Sequence, residues 1–358
     1  MSYVLAFAGF AALIILHELG HFMAAKAVGM RVERFSLFFP PFLARVRRGE
    51  TEYAVGSIPL GGYVRITGMN PREELPAEVE SRAYYRQPVW KRVVVISAGP
   101  GMNILIALVI LWALFLAHGT QTVTHRIDKV DARQPAAHVL QRGDVVVTVD
   151  GRDGDVQAIT ERISSHRCVG PARAGCEAKT PVRIGIRRDG RLRTFSITPR
   201  YDPQAKRMRL GFAFAVDTRD AGPVRAAGLS VRHNWAVAKL TVKAIARVFY
   251  SSQARKQVSG VVGSYEVTRE SIAFDSVQAL NVLAIISLSL AIVNLFPFLP
   301  LDGGHIFWAL AEKVRRRPIP YTVLERVSVI GFMLVIFLFV VGLTNDIDRL
   351  RGEGFGIR

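Results

Sequence analysis

Residues 3–16 carry no charged side chain, and the next five read His17-Glu18-Leu19-Gly20-His21. No other feature restricts the fold as strongly. An apolar run of about 20 residues is long enough to cross a bilayer as a helix. Inside a bilayer the backbone must satisfy its own hydrogen bonds, which a helix does. Positions i and i+4 of a helix share a face, so His17 and His21 present two imidazoles to one metal ion. Glu18 lies beside them, placed to take a proton from a water at that metal. A metal site at this depth points to hydrolysis inside or at the edge of a membrane.

Composition supports the membrane reading. Half of the 358 residues are hydrophobic, and the formal net charge is +18. With apolar spans present, that charge suits anionic lipid, and no nucleic-acid partner is expected. Four segments qualify as spans: 3–28, 93–117, 278–300 and a shorter one at 327–343. A cleaved signal peptide fits the first poorly, because no Lys or Arg precedes its apolar run. Positive charge follows it instead. Twelve Lys or Arg lie from Lys26 to Arg92, against seven acidic residues. A second basic cluster, Lys313, Arg315, Arg316 and Arg317, follows the third span. The loops 29–92 and 305–322 are therefore expected in the cytoplasm, with 118–277 and both termini outside. His17, His21 and Asp302 then all fall toward the cytoplasmic ends of their spans.

Between the spans the pattern changes. Tyr53, Val55, Tyr63, Val64 and Ile66 have strand-like character, and Pro59 and the adjacent glycines interrupt them. A membrane-associated β-hairpin with an open edge is expected there. In the second span Ser97-Ala98-Gly99-Pro100-Gly101-Met102-Asn103 combines small residues, a helix-interrupting proline and one amide that needs a partner. Residues 120–215 are mixed in charge, with short β-like runs and an Asp189-Gly190 turn, which predicts a small β-rich extramembrane domain. Cys168 and Cys176 lie within it, either as a short-range disulfide in an oxidising compartment or as two free thiols. Residues 221–265 hold seven Lys or Arg and no acidic residue. Lys239, Lys243 and Arg247 share one helical face there. This is either a basic amphipathic helix on the membrane surface or a helix packed on the soluble domain. The third span ends in Asn294-Leu295-Phe296-Pro297-Phe298-Leu299-Pro300-Leu301-Asp302-Gly303-Gly304. An acidic residue at membrane depth normally has a partner.

Taken together, these motifs resemble the site-2 protease family of intramembrane zinc metalloproteases, in particular the bacterial branch with one PDZ domain that cleaves anti-sigma factors. The resemblance rests on His17-Glu18-Leu19-Gly20-His21, on Asn294 through Gly304 with its Leu-Asp-Gly core, and on Pro59-Leu60-Gly61-Gly62-Tyr63-Val64. Gly99-Pro100 with Asn103, and Gly260-Val261-Val262-Gly263, add to it. Gln134-Pro135-Ala136-Ala137, Arg142-Gly143-Asp144 and Val149-Asp150-Gly151 are similar to a PDZ domain, although the Cys168–Cys176 loop is longer than such a domain needs.

The resemblance implies a polytopic α-helical membrane protein with four transmembrane helices, an inserted β-rich extracytoplasmic PDZ domain and the membrane-associated hairpin. The implied division is 1–117 with the metal motif and hairpin, 118–215 as the PDZ domain, 216–277 as an amphipathic linker and 278–358 with the Leu-Asp-Gly motif. It implies a Zn2+ ion held by His17, His21 and Asp302, and Glu18 as the catalytic acid–base residue. Asn294, Asn103, Gly61, Gly62 and Tyr63 are the expected substrate-binding residues, the two amides having interhelical hydrogen bonding as their alternative. His305 is not taken as a ligand. The implied partners are a single-span membrane protein such as an anti-sigma factor, anionic lipid, and a peptide C-terminus at the PDZ domain. The implied location is the bacterial inner membrane. A non-catalytic PDZ scaffold is the alternative, which Glu18 argues against, because a structural metal site has no need of that carboxylate. A metal transporter would need more polar groups along the spans.

Overall fold

The computed structural model describes residues 2–352 except 71, 172, 204, 206, 249, 259 and 318. The chain divides into two compact units, Met1–Ala117 with Gly222–Arg358, and His118–Ala221. The first is mostly helical and contains four helices long and apolar enough to cross a membrane. These are α1 (Ser2–Ala27), α3 (Val89–His118), α8 (Ser276–Asn294) and α10 (Tyr321–Arg351). A single turn, α2 (Ala77–Glu80), precedes α3. The helices α5 (Pro223–Val248), α6 (Ser252–Gln257) and α7 (Val261–Phe274) precede α8. A further helix, α9 (Asp302–Arg315), lies between α8 and α10.

Two boundaries differ from expectation. The third apolar helix stops at Asn294 instead of running to 300. Pro297 and Pro300 cannot donate to a continuing helix, so the chain leaves it and restarts at Asp302. The fourth helix extends well beyond 327–343, because its polar flanks continue the helix outside the apolar window.

The hairpin is formed by β1 (Val32–Arg48) and β2 (Thr51–Ile66). Both strands bend, so the first half of β1 is flanked on two sides. Phe35, Ser36 and Leu37 register with Val64, Tyr63 and Gly62 on one side, and with Tyr53, Ala54 and Val55 on the other. Residues 44–48 close the far side against 51–55. The stretch 62–66 is left as an edge, with no further strand pairing among the described residues. The hairpin packs along α1. Phe35 and Tyr53 contact Phe22, and Phe38 reaches Phe7, far into the apolar helix. The tip, Phe38-Phe39-Pro40-Pro41-Phe42-Leu43, is apolar enough for that environment. At the base, Glu50 accepts from Arg82 at 2.7 and 2.9 Å and pairs with Lys26 at the end of α1. Those hydrogen bonds hold its carboxyl at about 2, so the anchor stays charged at any physiological pH.

Face-specific burial explains α5. Ala226, Ser230 and Asn234 are buried on one face, with Val237 and Ala238 packed against the Ala107–Leu111 cluster of α3 and Ala284–Leu288 of α8. Ser230 Oγ donates to the Leu108 carbonyl at 2.7 Å. Arg225, Arg232, Lys239, Lys243 and Arg247 are exposed. Phe249, the apolar residue that follows α5, lies outside the described residues.

The second unit contains β3 (Thr120–Val130), β4 (Val145–Val149), α4 (Val156–Ser165), β5 (Val182–Arg188), β6 (Arg191–Ile197), β7 (Arg200–Asp202), β8 (Arg207–Arg209) and β9 (Phe212–Arg219). Five strands form one sheet in the order β6-β5-β4-β3-β9. Ile127, Val149, Ile159, Val182, Ile184 and Ile186 form its dry core. Cys168 and Cys176 are joined by a disulfide, which resolves the two alternatives left by the spacing. Within this unit Asp144 is 2 % exposed and receives Arg188 Nε and Nη2, both at 2.7 Å. Burial raises the Asp144 pKa, but the Arg188 hydrogen bonds and the Gln141 amide outweigh it and leave the carboxyl lowered. A lowered native pKa stabilises the fold above the ordinary aspartate range and loses that stability as pH falls through the native value. Asp144→Ala strands Arg188 and is expected to destabilise this unit by about 3 kcal/mol. Denaturant unfolding at pH 7, followed on this unit's signals, checks it, and the difference from wild type should shrink in acid.

Candidate metal centre

Three elements meet at the centre. Helix α1 carries His17, Glu18 and His21, and α3 passes close behind it. Gly20 permits that approach, since a Cβ there would lie 2.4 Å from the Ala98 carbonyl oxygen. The third element is the start of α9. Gly303 and Gly304 let its first turn press on the preceding loop, because Cβ atoms there would lie 2.2 Å from Leu295 O and 2.5 Å from Leu299 N. Asp302, in that first turn, carries its charge at the favourable end of the helix dipole.

His17 Nε2 lies 3.3 Å from His21 Nε2 and 3.3 Å from Asp302 Oδ2, and His21 Nε2 lies 3.4 Å from the same oxygen. Both histidines are 7 % exposed. Among the described residues this is the one cluster of three or more His, Cys, Asp or Glu able to share an ion. The triangle is nearly equilateral. For tetrahedral zinc with ligands at about 2.0–2.1 Å, ligand atoms stand about 3.3–3.4 Å apart, so the observed sides fit one ion with a fourth position left over. Asp302 Oδ2 is buried and has no hydrogen-bond partner. A bare oxygen facing two ring nitrogens is unstable alone and satisfied by a cation.

The ring orientations are fixed from behind. His21 Nδ1 donates to the Val95 carbonyl at 2.9 Å, leaving Nε2 free to coordinate. Gly99 lies flat against that ring, and a Cβ there would be 2.2 Å from Nε2. His17 Nδ1 meets the Asn103 amide at 3.1 Å.

Glu18 stands beside the triangle, facing the hairpin edge. Gly62 packs on it, with an added Cβ falling 3.0 Å from both Glu18 Cγ and Ser36 O. The Val64 backbone amide faces the carboxylate. The free edge of the sheet therefore borders Glu18. Gly62→Ala pushes on Glu18 but not on the ligands. Turnover is expected to fall roughly 10- to 100-fold with zinc content unchanged, checked by peptidase rate alongside metal analysis of the same preparation.

The expected site residues separate clearly. His17, Glu18, His21, Asp302 and Gly62 converge. Tyr63 is on the same edge, stacked on Phe39 and receiving a hydrogen bond from Arg34 at 3.2 Å. Gly61 precedes it with φ 151°, open to glycine. Asn294 ends α8, half-buried, with no hydrogen bond from its side chain among the described residues. Asn103 is different from expectation. It is fully buried behind His17, so it offers no surface to a substrate. His305 lies outside the ligand cluster. Gly99 and the Val95 carbonyl were not identified as site groups from sequence. A backbone oxygen leaves no trace in residue type, and Gly99 reads simply as a small residue at a helix contact.

The model of peptidase family M50 matches residues 5–338. The zinc metalloprotease Rip1 of Mycobacterium tuberculosis H37Rv is 32 % identical over 384 aligned residues, covering 90 % of this chain and 92 % of that protein. A candidate zinc metalloprotease of Brucella suis is 28 % identical over 358 residues, covering 93 % and 92 %. One of Campylobacter jejuni is 27 % identical over 354 residues, covering 95 % and 92 %.

Proposed function

Because this chain belongs to peptidase family M50, the site-2 protease family of membrane zinc metalloproteases, we propose that it cuts the transmembrane segments of single-span membrane proteins. The observation that carries the proposal is the metal triangle with Glu18 beside it, built on an apolar helix long enough to span a bilayer.

His17, His21 and Asp302 are the residues that would hold zinc. Bound there, zinc supplies a Lewis acid that polarises the scissile carbonyl and acidifies a water. Glu18 takes a proton from the attacking water as its oxygen bonds to the carbonyl carbon, and returns it to the amine as the C–N bond breaks. A helical substrate hides its amides in its own hydrogen bonds, so it must unwind first. The edge at 62–66 would receive the unwound strand by backbone pairing and lay it beside Glu18. Asn294, whose amide makes no side-chain hydrogen bond among the described residues, would hold a released backbone group.

The second unit is read as a PDZ domain. Its sheet order supports this, with β9 left at one edge and Leu210-Gly211-Phe212 leading into it. Gly211 has φ 87°, and a Cβ there would lie 2.0 Å from Gln134 Cβ. A peptide C-terminus would add to that edge. The disulfide supports an oxidising, extracytoplasmic location for this unit, with the basic loops inside. The exposed cations of α5 suit anionic lipid. On the resemblance to the anti-sigma-cleaving branch, the expected substrate is an anti-sigma factor in the bacterial inner membrane.

Comparing membrane proteins in cells carrying wild type or Glu18→Gln tests the proposal. A single-span protein should accumulate uncleaved in the variant. If none does, the protease reading fails.

A further inference from the structure

We propose that Asn103 is a positioning residue for the metal, its amide oxygen accepting the Nδ1 proton of His17 and so committing His17 Nε2 to coordination. The proposal rests on the metal reading above.

Asn103 is 0 % exposed, and its side chain meets His17 Nδ1 at 3.1 Å through Nδ2, while Oδ1 is buried without a partner. An amide occupies the same volume in its two orientations, and hydrogen bonding decides between them. One orientation points the NH2 at Nδ1. Nδ1 must then be the unprotonated nitrogen, which places the ring proton on Nε2. That is the atom 3.3 Å from both His21 Nε2 and Asp302 Oδ2, and a protonated nitrogen cannot coordinate. The other orientation points Oδ1 at Nδ1–H and leaves a lone pair on Nε2. One amide group stays unpartnered either way, so the histidine, not the orphan, selects the orientation. The selected one gives both ligands the same outward geometry, since His21 Nδ1 already donates to the Val95 oxygen.

Asn103 is itself held in place. Ser287 on α8, fully buried, donates to the Asn103 carbonyl at 2.9 Å. Thus α8 sets the height of α3, and through Asn103 the orientation of a ring on α1. This accounts for an amide in an otherwise apolar stretch, where an unpaired polar group is costly.

The test measures zinc affinity by chelator competition, and the visible spectrum of the cobalt-loaded form, on purified full-length protein. Asn103→Leu keeps the branched heavy-atom skeleton and removes the acceptor. Its zinc affinity should fall about 10- to 100-fold, with an altered cobalt spectrum. Asn103→Asp supplies only acceptors and should keep affinity and spectrum near wild type. Wild-type affinity in Asn103→Leu would overturn the proposal. So would an Asn103→Asp protein that is folded and as deficient as Asn103→Leu, because the amide would then be a donor or a packing group. Where Leu does not fold, Asn103→Ala takes its place with the same expectation. His17→Ala separates the two levels: if it binds zinc as tightly as wild type, the metal reading itself is wrong and this proposal falls with it.

Discussion

Replacing Glu18 with Gln is expected to lower peptide hydrolysis by about 10²- to 10⁴-fold, the range for removing a general acid–base group. Zinc content should not change. The carboxylate is not part of the ligand triangle, whose three corners come from His17, His21 and Asp302. Gln has the same shape, so Gly62 and the Val64 amide can still pack around it. What it lacks is the ability to accept a proton from water and pass it to the leaving amine. The hairpin edge is untouched by the change, so on the proposed mode of capture the loss falls on turnover rather than on binding. Rates on a single-span substrate, beside metal analysis and substrate co-purification, check all three statements. A Glu18→Gln protein that loses its zinc would mean that the carboxylate holds the metal instead.

Gly99→Ala should be nearly as damaging, through metal loss instead of lost proton transfer. Helix propensity favours Ala over Gly by about 1 kcal/mol, so a helix argument alone expects stabilisation. The site expects the reverse. An added Cβ would lie 2.2 Å from His21 Nε2, 2.5 Å from Cε1 and 2.8 Å from Cδ2. The ring cannot rotate aside without breaking its 2.9 Å hydrogen bond to the Val95 carbonyl. Zinc affinity should fall at least about 10-fold, as when a ligand-orienting hydrogen bond is removed. Gly101, two residues on, gives the control, because a Cβ there meets nothing within 4 Å. Gly101→Ala should bind zinc normally. Equal affinity in both variants would remove Gly99 from the site.

Much of this centre is legible in the residues because metal chemistry demands particular side chains. Two histidines at helical spacing and an aspartate at membrane depth leave few alternatives. The spans are legible because an uncharged stretch of that length has few other uses. What escaped detection depends on contacts. Asp302 by its residue type suits a turn or a helix cap; it starts α9, and Gly303 and Gly304 serve close packing against Leu295 and Leu299. Asn103 stands out as an amide in an apolar run, but residue type does not say whether it faces substrate or a neighbouring helix. The hairpin showed its strand composition but not its docking. Only the contacts of Phe35 and Tyr53 with Phe22, and of Phe38 with Phe7, reveal that it climbs α1. That docking brings a free sheet edge to Glu18.

On the proposed function, the hairpin edge and the metal site act together within the membrane. The most direct measurement is mass spectrometry of the products from a single-span substrate co-reconstituted with the protein in liposomes. The expected new termini lie inside the apolar span, and they disappear with Glu18→Gln. Cleavage confined to the soluble flanks of the substrate, or unchanged cleavage by the variant, would contradict the account.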